Sequence, residues 1–429
     1  MATTRLRLLA FLAALAALAT PAVGRADAVT DWNAIASNSI VVVAGQAPHA
    51  STLSFAMVQG AVYDAVNGID RSHQPYLAMP DAQPWDSKDA ATATAAFRVL
   101  AALFPAQQSS LQASYDLALA SIPNGPAKEG GVDAGEVAAA AMLAARTGDG
   151  RGGPFTVVYG TTPGAWRLAP PQGPGLIVAT DPAPWLGNVK PFLVPDITML
   201  RTDPPNPLTS GAYAEDFNEV KELGSLASTR RTPDETEAAI FWQDHGHAIW
   251  NRVLRQLVVS QGLDVAESAR LLASVDLAAA DAAIGCWNNK YYWNFWRPIT
   301  AIREAASDGN PATEPDPNWL PLFDPATPQF GSPLVTPGFP DHPAGHGCVT
   351  GSVTHMLQDF FGTDKVDFSA FSNRTRTTRS FDRFSAARKE VIDARVWGGI
   401  HFRTADVQGA VLGKKVAHYL EKHYFLPMG

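Results

Sequence analysis

Small and apolar residues recur at three- and four-residue spacing through most of this 429-residue chain, and that period admits little except packed helices. It runs through residues 31–70 and through the Ala-rich stretches 90–104 and 135–146. It resumes at 214–223, 234–261 and 265–305, and again at 347–361, 385–397 and 404–423. Alternating Val/Ile/Thr runs bounded by hairpin turns are sparse. The pattern predicts an all-α fold. With 46% apolar and 17% charged residues, the chain can bury a core and is neither disordered nor a coiled-coil rod.

One interruption divides the pattern. Residues 152–210 lose the helical period and fill with Pro and Gly, as in APPQGPG and the later PPNP. A connection this long in a compact protein either wraps between units or carries function. The expected layout is therefore two helical bundles, 29–210 and 211–429, joined by the Pro/Gly-rich connection. A second such loop covers 308–345.

Residues 1–28 read as a segment apart from the fold. Arg5 and Arg7 precede an apolar run of 12 residues, and Ala26-Asp27-Ala28 forms a small-x-small cleavage site. The run is short of the ~20 residues needed to cross a bilayer. Cleavage after Ala28 takes the formal charge from −8 to −10 by removing three Arg and one Asp. No later stretch is apolar enough to span a membrane. The expectation is a secreted or periplasmic protein with no membrane contact after cleavage. Lys/Arg-rich runs are missing, which excludes nucleic acid as a partner. Two Cys exclude a disulfide framework and a Cys-based zinc site. An oxidising compartment leaves both a Cys286–Cys348 disulfide and two buried free thiols open.

Three segments carry chemistry. In Lys290-Tyr-Tyr-Trp-Asn-Phe-Trp-Arg297-Pro298 the two cations are seven residues apart. On one helix that is 700° of rotation, which predicts a shared face with about 10.5 Å between them along the axis. Cations among Trp293, Phe295 and Trp296 are costly unless an anion meets them; the plainer alternative is a snorkelling surface pair. In Phe339-Pro-Asp-His-Pro-Ala-Gly345-His346-Gly347, the Pro and Gly place His346 at a helix N-terminus, where free N–H groups and the dipole favour an anion. Gly345 permits close approach of an oxyanion, and His346 can pass it a proton; a capping or core His is the alternative. In Arg395-Val-Trp-Gly-Gly-Ile-His401, Gly398 and Gly399 break the helix so that Arg395 and His401 turn to a common point, unless this is an ordinary helix C-cap. Together the segments form a cage for a tetrahedral or trigonal-bipyramidal oxyanion. Carboxylates are missing from their key positions, which argues against Mg²⁺ or di-iron. There is no HExxH and no GxSxG.

This constellation resembles the vanadium haloperoxidase and type 2 acid phosphatase superfamily, whose pattern is K-x6-RP, PSGH and SR-x5-H. Here it reads Lys290-x6-Arg297-Pro298, Pro343-Ala344-Gly345-His346 and Ala394-Arg395-x5-His401. The AVYDAVNGI, FWQDHGHAIW and GCWNNK stretches look like bacterial secreted members of the vanadium chloroperoxidase group. The resemblance implies two helical bundles with the site in the C-terminal one. It implies that His401 binds vanadium or attacks phosphorus, and that Lys290, Arg297, Arg395 and the Gly345 amide hold the oxygens. His346 is then the acid–base group, and Phe339 and Trp287 are halide-pocket candidates. The implied cofactor is vanadate for a haloperoxidase and none for a phosphatase. The implied partners are hydrogen peroxide, halide and an organic acceptor, or a phosphomonoester; a homo-oligomer is left open. Whole-chain resemblance favours the haloperoxidase. Three positions depart from the pattern: Ala344 and Ala394 each replace a Ser, and Ala405 stands where Asp is frequent, with Asp406 next.

Overall fold

The computed structural model describes residues 27–169, 179–324 and 334–428. The fold is mostly helical. In the N-terminal half, α1 (Ala28–Ser37) runs into a π-helical turn over Asn38–Val43, followed by α2 (Pro48–Asp70), α3 (Lys88–Leu103), α4 (Gln108–Ala120) and α5 (Pro126–Ala145). The C-terminal half holds α6 (Gly211–Leu223), α7 (Pro233–Phe241), α8 (Gly246–Gln261), α9 (Val265–Trp293), α10 (Pro298–Arg303), α11 (Gly345–Phe361), α12 (Phe384–Trp397) and α13 (Arg403–His423). A short hairpin of β1 (Phe368–Phe371) and β2 (Thr378–Phe381), with Phe368 opposite Phe381, stands between α11 and α12. The basic and apolar parts of the expected signal segment lie outside the described residues. Asp27 caps α1 through a capping box with Thr30, so the cut expected after Ala28 falls one residue inside that helix.

Local chemistry breaks three helical stretches that periodicity ran together. Gly45 (φ 59°) and Pro48 separate α1 from α2. His245 caps α8 by accepting the Ala248 N–H, so 234–261 becomes α7 and α8. Asn294 (φ 48°, ψ 43°) ends α9 in the left-handed region, and Pro298 bars Arg297 from helical conformation (φ −85°, ψ 155°). Lys290 and Arg297 therefore do not share a helix face. Arg297 sits at the N-cap of α10, and the seven-residue helical spacing does not apply.

Packing joins the halves. α2, α3 and α5 pack on one another, as do α9, α11 and α13, and α2 also lies along α9. One apolar cluster contains Phe55 and Val62 of α2, Leu272 and Ile284 of α9, and Leu412 of α13. The α11–α13 contact is backbone on backbone. A Cβ at Gly413 would lie 2.3 Å from the Ser352 nitrogen, and one at Gly347 would lie 2.5 Å from the Asp406 carbonyl oxygen. That approach fixes the N-terminus of α11 in place.

The long connection is tied down by a buried carboxylate. Asp281 of α9 accepts the N–H groups of Phe192 (2.6 Å), Leu193 (2.9 Å) and Val194 (2.9 Å). Asp64 of α2 does the same for Tyr76, Leu77 and Ala78. Burial pushes both carboxyls up to about 6 against these bonds. Asp281→Ala should strand three buried donors at ~1–3 kcal/mol each. We expect a loss of at least ~3 kcal/mol in urea unfolding with an unchanged m-value; a loss under ~1 kcal/mol would show that the connection is not held there.

Candidate active site

Four pieces of chain meet behind one cavity: the last turn of α9, the segment 336–344 leading into α11, the end of α12, and the turn after it. The two glycines of that turn follow α12 directly. Gly399 has φ 75°, and a Cβ there would lie 2.4 Å from the Gly224 carbonyl oxygen. The turn swings His401 back beside Arg395.

The cations converge, by a route other than a shared helix face. Lys290 is fully buried, and its Nζ donates to the carbonyls of Pro340 (2.8 Å) and Asp341 (3.0 Å), leaving one N–H for a ligand. Arg297, also fully buried, donates from Nε to the Phe339 carbonyl (2.8 Å) and from Nη1 to the Ile400 carbonyl (2.7 Å); Nη1 lies 3.0 Å from His401 Nε2. Its Nη2 is buried without a hydrogen-bond partner among the described residues. Arg395 donates from Nη1 to Gln243 Oε1 (2.9 Å), and its buried Nε likewise has no partner among the described residues. Gly345 opens α11, so the first amides of this 17-residue helix have no intrahelical acceptor. His346 Nε2 lies 3.1 Å from the Trp242 carbonyl, which assigns the proton to Nε2 and leaves Nδ1 as the acceptor of the neutral ring.

Sequence reasoning placed no carboxylate at the key positions; the structure corrects this. Asp341 Oδ1 lies 2.8 Å from His401 Nδ1 and 3.8 Å from Arg297 Nη1. Asp406 is fully buried nearby. Burial pushes Asp341 up to about 7 and Asp406 well above the usual carboxylate range. Burial also drives the cations down, Lys290 to about 8 and Arg297 to about 10, and lowers Arg395. His346 and His401 fall well below the usual imidazole range, by burial and then by the neighbouring guanidinium groups. Crowded cations, two orphaned guanidinium N–H groups and a helix N-terminus are the donor set of an oxyanion site.

The cavity measures about 280 Å³. His401, Arg395, Gly345 and His346 line it together with Trp287 and Phe339. The Trp287 and Phe339 rings are 5.0 Å apart, and Lys290 Nζ is 5.0 Å from the Phe339 centroid. Thus all eight residues singled out from the sequence lie at this cavity or directly behind it. Cys286 and Cys348 are buried free thiols on the adjacent helices α9 and α11, with Cys286 Sγ 3.5 Å from the Pro343 carbonyl. Ala344 is the N-cap of α11 and offers no side-chain cap.

Three contributors escaped the sequence reading. Asp341 stood inside a quoted motif and was passed over. Gln243 belongs to the FWQDHGHAIW stretch, which carried no assigned role. His49, on the opposite wall of the cavity, comes from the other half of the chain and had no local signal.

Comparisons with known proteins find likeness to vanadium haloperoxidases. Residues 270–426 match the family model of the VCPO second helical-bundle domain. Vanadium chloroperoxidase of Curvularia inaequalis is 27% identical over 251 residues, which cover 49% of this chain and 40% of that protein. The chain thus spans well under half the length of this curated relative. A bacterial vanadium-dependent iodoperoxidase shares the fold with a TM-score of 0.76 and 21% identity, covering 93% of this chain and 97% of the other. The holo-type bacterial vanadium-dependent chloroperoxidase gives 0.70 at 14% identity, over 93% and 97%.

Asp341 and Lys290 set a pH dependence of one sign. An anion favours the protonated form of both, so its affinity should be highest below about pH 7 and fall through 7–8, by up to ~tenfold per pH unit for each proton. Titration with inorganic phosphate, corrected for its own ionisation, measures this. Lys290→Gln should weaken binding and flatten the upper limb; a flat wild-type profile would contradict the electrostatic reading.

Proposed function

From the premise that the C-terminal part of this chain belongs to the vanadium chloroperoxidase second-bundle family, we propose that the protein is a vanadium-dependent haloperoxidase, oxidising halide with hydrogen peroxide. The observation that carries the reading is the pair of buried guanidinium N–H groups, on Arg297 and Arg395, left without protein partners beside His401. These donors, the spare Lys290 N–H and the Gly345 amide would hold the oxygens of vanadate, and His401 would be its nitrogen ligand. Bound vanadate would supply a Lewis acid that activates peroxide toward halide.

The protein's own part is electrostatic and positional. Lys290, Arg297 and Arg395 balance the anion's charge in a site shielded from bulk water, where each hydrogen bond is worth more than at a surface. Asp341 Oδ1 lies 2.8 Å from His401 Nδ1, a charge contact on that nitrogen that leaves Nε2 for the anion. His346 supplies a proton-accepting Nδ1 while the Trp242 carbonyl holds its Nε2–H. Trp287 and Phe339 give the cavity an apolar floor from which water is readily displaced. The N-terminal pattern of residues 1–28 supports export, and small molecules are the partners this cavity suits.

A type 2 acid phosphatase would use the same cage for phosphate. Metal-stripped protein separates the two. We expect halide-dependent bromination of a phenolic dye to appear on adding vanadate, with His401→Ala at background. Phosphomonoester hydrolysis without vanadate, and no bromination with it, would overturn the proposal in favour of the phosphatase.

A further inference from the structure

The cavity has a second polar station, on the wall supplied by the N-terminal half and the long connection. His49, near the start of α2, stacks on Trp287 with centroids 4.1 Å apart and planes 11° from parallel. It meets Phe339 edge-on at 6.0 Å. Its Nε2 is sealed from solvent and lies 3.3 Å from Asp181 Oδ1, an ion-pair distance without hydrogen-bond alignment. Asp181 is the hub of this wall. It also accepts the Ala183 N–H (2.9 Å), the Trp287 indole N–H (2.8 Å) and the Tyr291 hydroxyl (2.8 Å). Although burial opposes ionisation, His49 and these donors hold the Asp181 carboxyl below its usual range. An anchored carboxylate at one ring nitrogen fixes an imidazole and presents the other. His49 Nδ1 has no hydrogen-bond partner among the described residues, and His49 lines the cavity.

Two further histidines near this cavity, His245 and His247, are less available. His245 caps α8 through Nδ1 and meets the Gln46 carbonyl through Nε2. Both ring nitrogens of His247 are sealed from solvent, one lying 3.0 Å from Asp276. At about 280 Å³ the cavity exceeds what an oxyanion and a halide need and approaches the ~300 Å³ lower end of small-molecule pockets. Its aromatic side favours a flat ring.

We propose that the Asp181–His49 pair is a general base that binds a phenol-class acceptor in this cavity and takes its hydroxyl proton at His49 Nδ1. This rests on the haloperoxidase reading for the oxidant, a hypohalous acid. Deprotonation raises electron density at the ring carbons ortho and para to oxygen. One of these attacks the halogen: the carbon–halogen bond forms and the halogen–oxygen bond breaks. The departing hydroxide takes the proton from His49 as water, and the ring proton moves to the phenolic oxygen. Phenol and hypohalous acid give halophenol and water.

Binding tests this without vanadate or turnover. 4-Nitrophenol absorbs differently as phenol and as phenolate, so its bound state is visible below its own pKa. We expect the wild-type protein, with inorganic phosphate filling the cage, to bind it with a phenolate band. His49→Gln should lose that band and bind about tenfold or more weakly. His49→Phe, which keeps the stack on Trp287, should behave likewise, and 4-nitroanisole should bind all three proteins equally. A phenolate band that survives in both variants, or that phosphate abolishes, would place the phenol elsewhere and overturn the inference. A protein that shows the band but oxidises no halide on vanadate loading would instead overturn the haloperoxidase reading.

Discussion

Three cations buried in one small volume govern this structure. Lys290 and Arg297 are fully buried and Arg395 nearly so. Burial away from water lowers the proton affinity of each group, and the neighbouring Arg297 guanidinium lowers Lys290 and Arg395 further. Two partial remedies are built in. Backbone carbonyls at 339–341 and 400 accept from Lys290 and Arg297, and the carboxyls of Asp341 and Asp406 lie close by. Neither remedy reaches Arg297 Nη2 or Arg395 Nε. On the proposed reading a bound oxyanion would satisfy both and restore the charge balance.

The fold serves that arrangement. α9 is the common spine: it carries Lys290, packs on α2 and α11, and holds the long connection through Asp281. The small-residue seam between α11 and α13 sets the α11 N-terminus. The turn after α12 needs glycine at 399, because neighbouring backbone leaves no room for a Cβ there, and it brings His401 within reach of Arg297 and Asp341. The N-terminal half is part of the site as well, since His49 lines the cavity beside Trp287 and Phe339, with Asp181 next to it.

Much of this was legible in residue order. Helical periodicity located the helices because their buried faces are long and rich in small residues. The three motif segments located the cage because each combines a cation or His with a Pro or Gly that redirects the chain. Helix breaks were harder to read. Asn294 in the left-handed region leaves little trace in a hydrophobic pattern, although Pro298 was a usable sign that Arg297 leaves the helix. The side chains do come together, but not through the shared helix face that their spacing suggested. Asp341 could have been found by asking what orients His401. His49 and Asp181 could not, because their contact joins residues more than a hundred positions apart and no periodicity encodes it.

The central claim is that Arg297, Arg395, Lys290 and the start of α11 hold one oxyanion against His401. A crystal structure grown with orthovanadate tests it most directly. The account predicts vanadium bonded to His401 Nε2, with oxygens accepting hydrogen bonds from Arg297 Nη2, Arg395 Nε and the Gly345 amide. Vanadate bound elsewhere, or a cage in which those two guanidinium nitrogens still lack a partner, would contradict it.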